Sequence, residues 1–114
     1  MREIKFRGKD ELNKWKFGDL IQGDKIFIRD RRFEFAAKVD LETVGEFTGL
    51  QDVAGKDIYE GDIVYVINDD TVSTVEFAGG SFVVFEDIEL FEFYKQCRVV
   101  GNIHDNPELL KESD

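Results

Sequence analysis

The sequence has few of the residues on which covalent and metal chemistry depend, since its 114 residues include one Cys, one His and one Pro. The single Cys97 excludes a disulfide within the chain. Its neighbours Val99 and Val100 are typical of a small buried residue rather than a reactive thiol. One Cys and one His cannot form a Cys/His zinc site. No Lys-Ser or Lys-Thr pair follows Gly79-Gly80, so this pair predicts a turn and not a phosphate-binding loop.

Long apolar segments are also missing. No run approaches the roughly 20 residues that a membrane-spanning helix needs. Met1 is followed directly by charged residues rather than by the apolar stretch of a signal peptide. Because a reducing compartment suits a free thiol, the sequence predicts a cytoplasmic protein without membrane contact.

The net charge of −10 is unevenly distributed. Residues 1–38 contain 11 Lys/Arg against 7 Asp/Glu, a net of +4, whereas residues 39–114 contain 4 against 18, a net of −14. An acidic chain is repelled by phosphate backbones, which argues against nucleic acid as a partner. The distribution favours either two parts that neutralise each other or an acidic face for an unknown protein partner. It also leaves open a homo-oligomer in which the basic part meets an acidic neighbour.

Alternating and β-branched apolar residues predict a mostly β chain that forms a single domain over residues 1–114. Short strands and turns predict a basic N-terminal β-meander over residues 1–38. The later predicted strands are Ile63–Ile67, Val72–Phe77, Ser81–Phe85 and Arg98–Val100. The first of these is apolar on both faces, which predicts a central strand.

One later segment is ambiguous, whereas the end of the chain is clearer. Residues 86–96 fit either a short helix or an edge strand, because their apolar positions match both periods. Asn106 is a good N-cap and Pro107 suits the first helical position, so this pair predicts a short C-terminal helix.

Two groups of carboxylates are candidates for binding a cation: Asp57, Glu60 and Asp62, and then Asp69 with Asp70. A hard cation needs several converging oxygens, and the alternating acids and fixed Gly of a calcium loop are missing. The spacing is instead typical of Asp in turns. The lone His104 has no Ser, Cys or Asp partner evident in the sequence, which makes it a poor candidate for a general base. The sequence therefore predicts no catalytic residue, no metal site and no cofactor.

Aromatic and basic residues are interleaved in the N-terminal part. The aromatic residues are Trp15, Phe17, Phe27, Phe33 and Phe35, and the basic ones are Lys14, Lys16, Arg29, Arg31 and Arg32. Stacking on single-stranded nucleic acid needs such interleaving. The same aromatic residues also fit alternating core positions, which is the favoured interpretation.

Three blocks of the sequence carry a resemblance. They are REIKFRG (Arg2–Gly8), VGEFTGLQDVAGKDIYEGDIVYV (Val44–Val66) and VGNIHDNPELL (Val100–Leu110). In this order they resemble the YopX family, small proteins of phages and prophages in bacteria. The blocks reach almost from end to end of the chain.

The resemblance implies coiled antiparallel β-sheets that include an SH3-like barrel, here over residues 44–110, and a biochemical function that is unassigned. It carries over no catalytic residue. Family members often have an aromatic residue at the position of His104, and often a Trp where this chain has Gly8 and Lys9. We interpret Gly61-Asp62 as the bend before a barrel strand, so that the motif specifies the fold rather than chemistry.

These observations predict a non-enzymatic interaction module with an acidic surface, acting in the cytoplasm of a bacterial host. One alternative is a nucleic-acid-binding accessory protein that uses the Trp15–Arg32 face. Another is an RNA-cleaving enzyme of the SH3-like barrel type, because those proteins have a similar Gly-Asp-Ile-Val start to a strand. The acidity of residues 39–114 disfavours this enzyme, which needs a basic groove.

Overall fold

The computed structural model describes residues 3–32 and 35–110, most of which lie in strands and turns. The chain forms two compact units, an N-terminal unit of residues 1–47 and a C-terminal unit of residues 48–114. Each unit has its own buried residues. That the whole chain is a single domain stays a prediction.

The N-terminal unit is an antiparallel sheet with the strand order β4-β3-β2-β1-β5. Its strands are β1 (Phe6–Lys9), β2 (Trp15–Gln22), β3 (Ile26–Asp30), β4 (Phe35–Lys38) and the start of β5 (Gly45–Gln51). A 3₁₀ turn, Leu41–Thr43, precedes β5. The predicted meander is confirmed for the described residues, while Phe33, predicted to start the fourth strand, lies outside them.

The C-terminal unit contains the end of β5, its partner β6 and two three-stranded antiparallel sheets, β12-β7-β8 and β11-β10-β9. The strands are β6 (Asp57–Tyr59), β7 (Asp62–Val66), β8 (Thr71–Thr74), β9 (Glu76–Ala78), β10 (Ser81–Val84), β11 (Ile88–Glu89) and β12 (Cys97–Asn102). β7 is the central strand of its sheet, and Ile63 and Val64 are completely buried. The prediction of a central strand is confirmed.

The predicted SH3-like barrel is not found as a closed ring among residues 3–32 and 35–110. The predicted strand Val72–Phe77 is divided at Val75 into β8 and β9, which belong to different sheets. The Val75 N–H donates to the Asp62 carbonyl oxygen, and the Val75 carbonyl oxygen accepts the Gly61 N–H. These bonds extend the pairing of β8 with β7 by one residue, after which β9 leaves this sheet and pairs with β10.

Neither the ambiguous segment 86–96 nor the described part of the predicted C-terminal helix contains an α-helix. Residues 86–96 form a turn, β11 and two 3₁₀ turns, Leu90–Glu92 and Tyr94–Gln96. The predicted C-terminal helix is a four-residue 3₁₀ segment, Pro107–Leu110. Asn106 occupies the predicted position before this segment, where its carbonyl oxygen accepts the Leu109 N–H at 3.0 Å, and its side-chain Oδ1 accepts the backbone N–H of Asn102, 3.2 Å away.

Candidate functional site

The sheet β11-β10-β9 carries acidic side chains on one face. Glu76 of β9 and Glu89 of β11 both lie opposite Val83 on the middle strand. Directly opposed residues of antiparallel strands point to the same face. These two carboxylates therefore lie on the face opposite to Phe82 and Val84, which belong to the core cluster. Two strand spacings place their backbones roughly 10 Å apart.

Three further carboxylates, Glu86, Asp87 and Glu92, follow in the turn after β10 and in the 3₁₀ turn after β11. We call these three together with Glu76 and Glu89 the acidic surface. All five residues are exposed, and none makes a side-chain ion pair or hydrogen bond within the described residues. Residues 48–114 hold 4 Lys/Arg against 15 Asp/Glu, a net of −11, so few cations of this unit could neutralise the surface.

Several basic residues of the N-terminal unit, by contrast, are paired with carboxylates of the same unit. The Arg31 guanidinium donates to Asp19 at 2.8 Å and to the Ile4 carbonyl oxygen at 2.6 Å. Arg32 donates twice to Asp30, at 3.2 and 3.1 Å. Hydrogen bonds from these arginines lower the pKa of both aspartates below the ordinary value. These pairs reduce the exposed charge of Arg31 and Arg32, but both partners are already counted in the net charge of +4 over residues 1–38.

Some of the interleaved aromatic and basic residues do come together. A cavity of about 300 Å³ in the N-terminal unit is lined by Trp15, Lys16, Phe17, Ile28, Asp30, Arg32, Phe35 and Ala37. The Trp15 ring also has the Arg7 guanidinium 4.6 Å and the Lys9 ammonium 5.3 Å from its centroid. Of the other predicted members, Lys14, Phe27, Arg29 and Arg31 do not line this cavity, and Phe33 lies outside the described residues. Phe17 and Phe35 remain largely exposed rather than filling the core as predicted.

The predicted carboxylate groups take part in turn structure. The buried Asp62 accepts the Tyr59 N–H at 2.7 Å. Asp57 accepts from the Gln51 side chain at 3.0 Å. The Asp70 carboxylate accepts the Tyr65 hydroxyl at 2.6 Å, a hydrogen bond that raises the pKa of Tyr65. No group of three or more His, Cys, Asp or Glu side chains within the described residues could hold a metal ion.

The structure also shows the surroundings of His104, Cys97 and the Gly79-Gly80 pair. His104 is exposed, and its backbone N–H donates to the Asn102 side chain at 3.0 Å. Cys97 is completely buried, which raises the pKa of its thiol to about 11, and its Sγ lies 3.2 Å from the Phe93 carbonyl oxygen. Gly79-Gly80 forms the turn between β9 and β10, as predicted.

Asp52 is an organising residue that the sequence did not single out. Its buried carboxylate accepts the backbone N–H groups of Ala54 and Lys56 in its own turn, at 2.9 and 2.8 Å. Its second oxygen accepts the Val99 N–H of β12, also at 2.8 Å. The sequence signal was the Asp-x-x-Gly turn, but the bond to a residue 47 positions away has no local signature.

The middle sequence block, Val44–Val66, therefore builds a scaffold. Thr48 donates its hydroxyl to the Ile58 carbonyl oxygen at 2.8 Å, which ties β5 to β6. Gly61 has a φ of +93°, a conformation that strongly favours glycine, and its carbonyl oxygen accepts the Ile103 N–H. The block thereby connects the last sequence block with the bend before β7.

Comparison with protein families gives a decisive match. The family described as YopX protein matches residues 3–111, nearly the whole chain. The chain belongs to the YopX family. Its three sequence blocks thus carry the family's sequence pattern, and the middle YopX block is the one that holds β5, β6 and β7 in place.

A solved structure supports the same fold. The chain is similar to the crystal structure of protein EF1440 from Enterococcus faecalis, with a TM-score of 0.61 and 24% sequence identity. The match covers 97% of this YopX chain and 100% of the other. The search of curated proteins returned no match. Within the described residues, no helix is long and apolar enough to span a bilayer.

Proposed function

We propose that this YopX chain is a non-enzymatic interaction module of phage or prophage origin, which uses its acidic surface to bind a basic protein in the bacterial cytoplasm. The observation that carries the proposal is the exposure of five carboxylates without side-chain partners. Exposed like charges keep their field available for a partner of opposite sign, which speeds association and sets specificity.

The use of the motif carboxylates also supports a non-enzymatic role. Asp52 and Asp62 are buried and accept backbone N–H groups. Carboxylates used in this way stabilise turns and are not presented to a substrate. The finer fold that we propose for residues 44–110 is SH3-like, with the bend at Val75 as the corner at which one strand passes between two sheets.

The experiment compares two variants of equal net charge. The first, Glu76→Gln/Glu86→Gln/Glu89→Gln, removes three charges from the acidic surface. The matched control, Glu11→Gln/Asp24→Asn/Glu42→Gln, removes three exposed charges from the N-terminal unit. Because all six substituted side chains are exposed, we expect both variants to fold.

Bacterial host lysate is passed over each immobilised protein at low and at physiological ionic strength. We expect a basic partner to be retained by the wild type and the control, to elute as salt rises, and to be lost with the first variant. Equal retention by both variants, or retention that does not respond to salt, contradicts the proposal.

A second candidate function rests on the cavity beside Trp15 and Phe35. Its aromatic side chains and Lys16 could stack and hold a nucleotide of single-stranded nucleic acid. The pairing of Arg31 and Arg32 with carboxylates weakens this candidate, because it leaves little local excess of positive charge. Trp15 is the only Trp of the chain, so quenching of its fluorescence by a single-stranded oligonucleotide at low salt tests it directly. No quenching under these conditions eliminates the candidate.

A further inference from the structure

The segment after β11 separates its side chains into three faces. In the 3₁₀ turns Leu90–Glu92 and Tyr94–Gln96, residues three positions apart nearly eclipse each other. Leu90 is completely buried and Phe93 packs against the same core cluster. The next face carries Phe91 and Tyr94, and Tyr94 is partly buried against that cluster. Glu92 shares the third face with Lys95, and Glu89 directly precedes the first 3₁₀ turn as the last residue of β11.

The Phe91 ring is exposed but is held in place by its partly buried neighbour Tyr94. Phe91 has 71% of its surface exposed and stacks on Tyr94, with ring centroids 6.1 Å apart and planes inclined by 30°. We call this pair the aromatic platform. An aromatic residue this exposed has no core role, and exposed aromatic residues are enriched where proteins bind partners.

The backbone beneath the platform is fixed on both sides. The Phe93 N–H donates to the Leu90 carbonyl oxygen, and the Gln96 N–H donates to the Phe93 carbonyl oxygen, each at 2.8 Å. The Gln96 carbonyl oxygen accepts the Ile67 N–H at 2.8 Å. A partner would therefore meet a preformed surface and lose less binding energy to ordering it.

The charges beside the platform select the occupant. Glu89 and Glu92 are exposed and make no ion pair within the described part of the chain. The platform already attracts one cation, since the Lys95 ammonium lies 5.8 Å from the centroid of the Tyr94 ring. Because that ring is in use, the Phe91 ring is the one left for a cation supplied by a partner.

We propose that the aromatic platform binds an arginine side chain of a basic protein segment, with the guanidinium stacked on Phe91 and hydrogen-bonded to Glu89 or Glu92. This inference rests on the proposed function and names the contact that provides its specificity. Arginine fits better than lysine, because its planar guanidinium stacks on aromatic faces and donates to carboxylates in a fixed geometry.

The test uses two synthetic peptides, one of alternating Arg and Gly and one of equal length with alternating Lys and Gly. Dissociation constants are measured by fluorescence anisotropy at low ionic strength for the wild type and for Phe91→Ala. Phe77→Ala is the matched control, since Phe77 is an exposed Phe of the same unit, adjacent to the acidic surface residue Glu76. Unchanged circular dichroism establishes that each variant is folded.

We expect the wild type and Phe77→Ala to bind the Arg peptide about two- to fivefold more tightly than the Lys peptide. Phe91→Ala should remove this preference, because it should weaken the binding of the Arg peptide more than that of the Lys peptide. Glu89→Gln/Glu92→Gln should weaken the binding of both peptides, more strongly at low salt.

Two results overturn the inference in distinguishable ways. If Phe91→Ala keeps the full preference for the Arg peptide, or if Phe77→Ala alone loses it, the platform is refuted while the acidic surface stands. If neither peptide binds the wild type at low ionic strength, the proposed function is refuted together with the platform.

Discussion

Removing the Asp52 carboxylate should separate the turn after β5 from β12. Asp52 accepts three backbone N–H groups at 2.8–2.9 Å, two from its own turn and one from Val99. In Asp52→Ala all three donors lose their acceptor. A buried donor left without a partner costs about 1–3 kcal/mol, whereas a donor that water can reach costs much less. The three groups are partly buried, so we expect a total loss of about 2–4 kcal/mol.

Asp52→Asn tests the geometry behind that number. An Asn side chain keeps one carbonyl oxygen for the two turn amides, but its NH₂ group then faces the Val99 N–H, donor against donor. We expect this variant to lose about 1–3 kcal/mol, mostly through the link to β12. Asp69→Ala is the control, since Asp69 is exposed and has no side-chain bond within the described residues. It should stay within about 0.5 kcal/mol of the wild type.

The assay is urea unfolding followed by far-ultraviolet circular dichroism, together with amide hydrogen exchange by NMR. The unfolding midpoint should fall in the order wild type, Asp52→Asn, Asp52→Ala, and exchange of the Val99 amide should accelerate in both variants. The reasoning is refuted if Asp52→Ala unfolds at the same urea concentration as Asp69→Ala, or if the Val99 amide keeps its wild-type protection.

Three further predictions concern other parts of the chain. Gly18→Ala should cost several kcal/mol or prevent folding, because a Cβ at this position would lie 1.9 Å from a backbone oxygen of β3. Gly55→Ala should cost only about 1 kcal/mol, because no atom lies within 4 Å of the added Cβ. Thermal unfolding of the two variants tests this difference. Arg31 lowers the pKa of Asp19 below its ordinary value of 3.8. The ion pair therefore stabilises the folded protein at pH values above 3.8, and this stabilisation is lost as the pH falls through the lower pKa that Asp19 has in the folded state. Asp19→Asn should therefore lower the Tm at pH 7 and leave it nearly unchanged in strong acid; an equal loss at both pH values would contradict this. Burial raises the pKa of the Cys97 thiol to about 11. The thiol should therefore resist iodoacetamide at neutral pH until the chain is unfolded in urea. Rapid labelling of the native protein would contradict this prediction.

Much of the β structure followed from local patterns. The run Ile63–Ile67 is apolar at every position, which is typical of a central strand. β7 has β8 and β12 as its two paired neighbours and buries Ile63 and Val64 completely, whereas Ile67 lies beyond its end and is exposed. The Gly79-Gly80 pair also predicted its turn from the local sequence, because a tight hairpin turn needs the positive φ that glycine permits and that both residues have.

The departures from the predicted elements arose from hydrogen bonds with residues outside the segment concerned. Asn106 has every local property of a helix cap, but the Asn102 amide uses its side-chain oxygen instead. Val72–Phe77 reads as one strand, but Val75 hydrogen-bonds with Gly61 and Asp62, after which the chain leaves that sheet and pairs with β10. Neither of these competing hydrogen bonds can be predicted from the residue pattern of the segment itself.

The candidate site was likewise predicted in part by the sequence and decided in part by the tertiary structure. The sequence by itself determined the strand pattern, the acidity of residues 39–114 and the YopX resemblance, because composition and short-range order contain all three. Only the tertiary structure decided which charges remain available. It paired Arg31 and Arg32 with nearby carboxylates, and it placed the exposed Glu76 and Glu89 on the same face of a sheet, on either side of the buried Val83. Ion pairing and strand register depend on three-dimensional neighbours, which a linear count of charges does not specify.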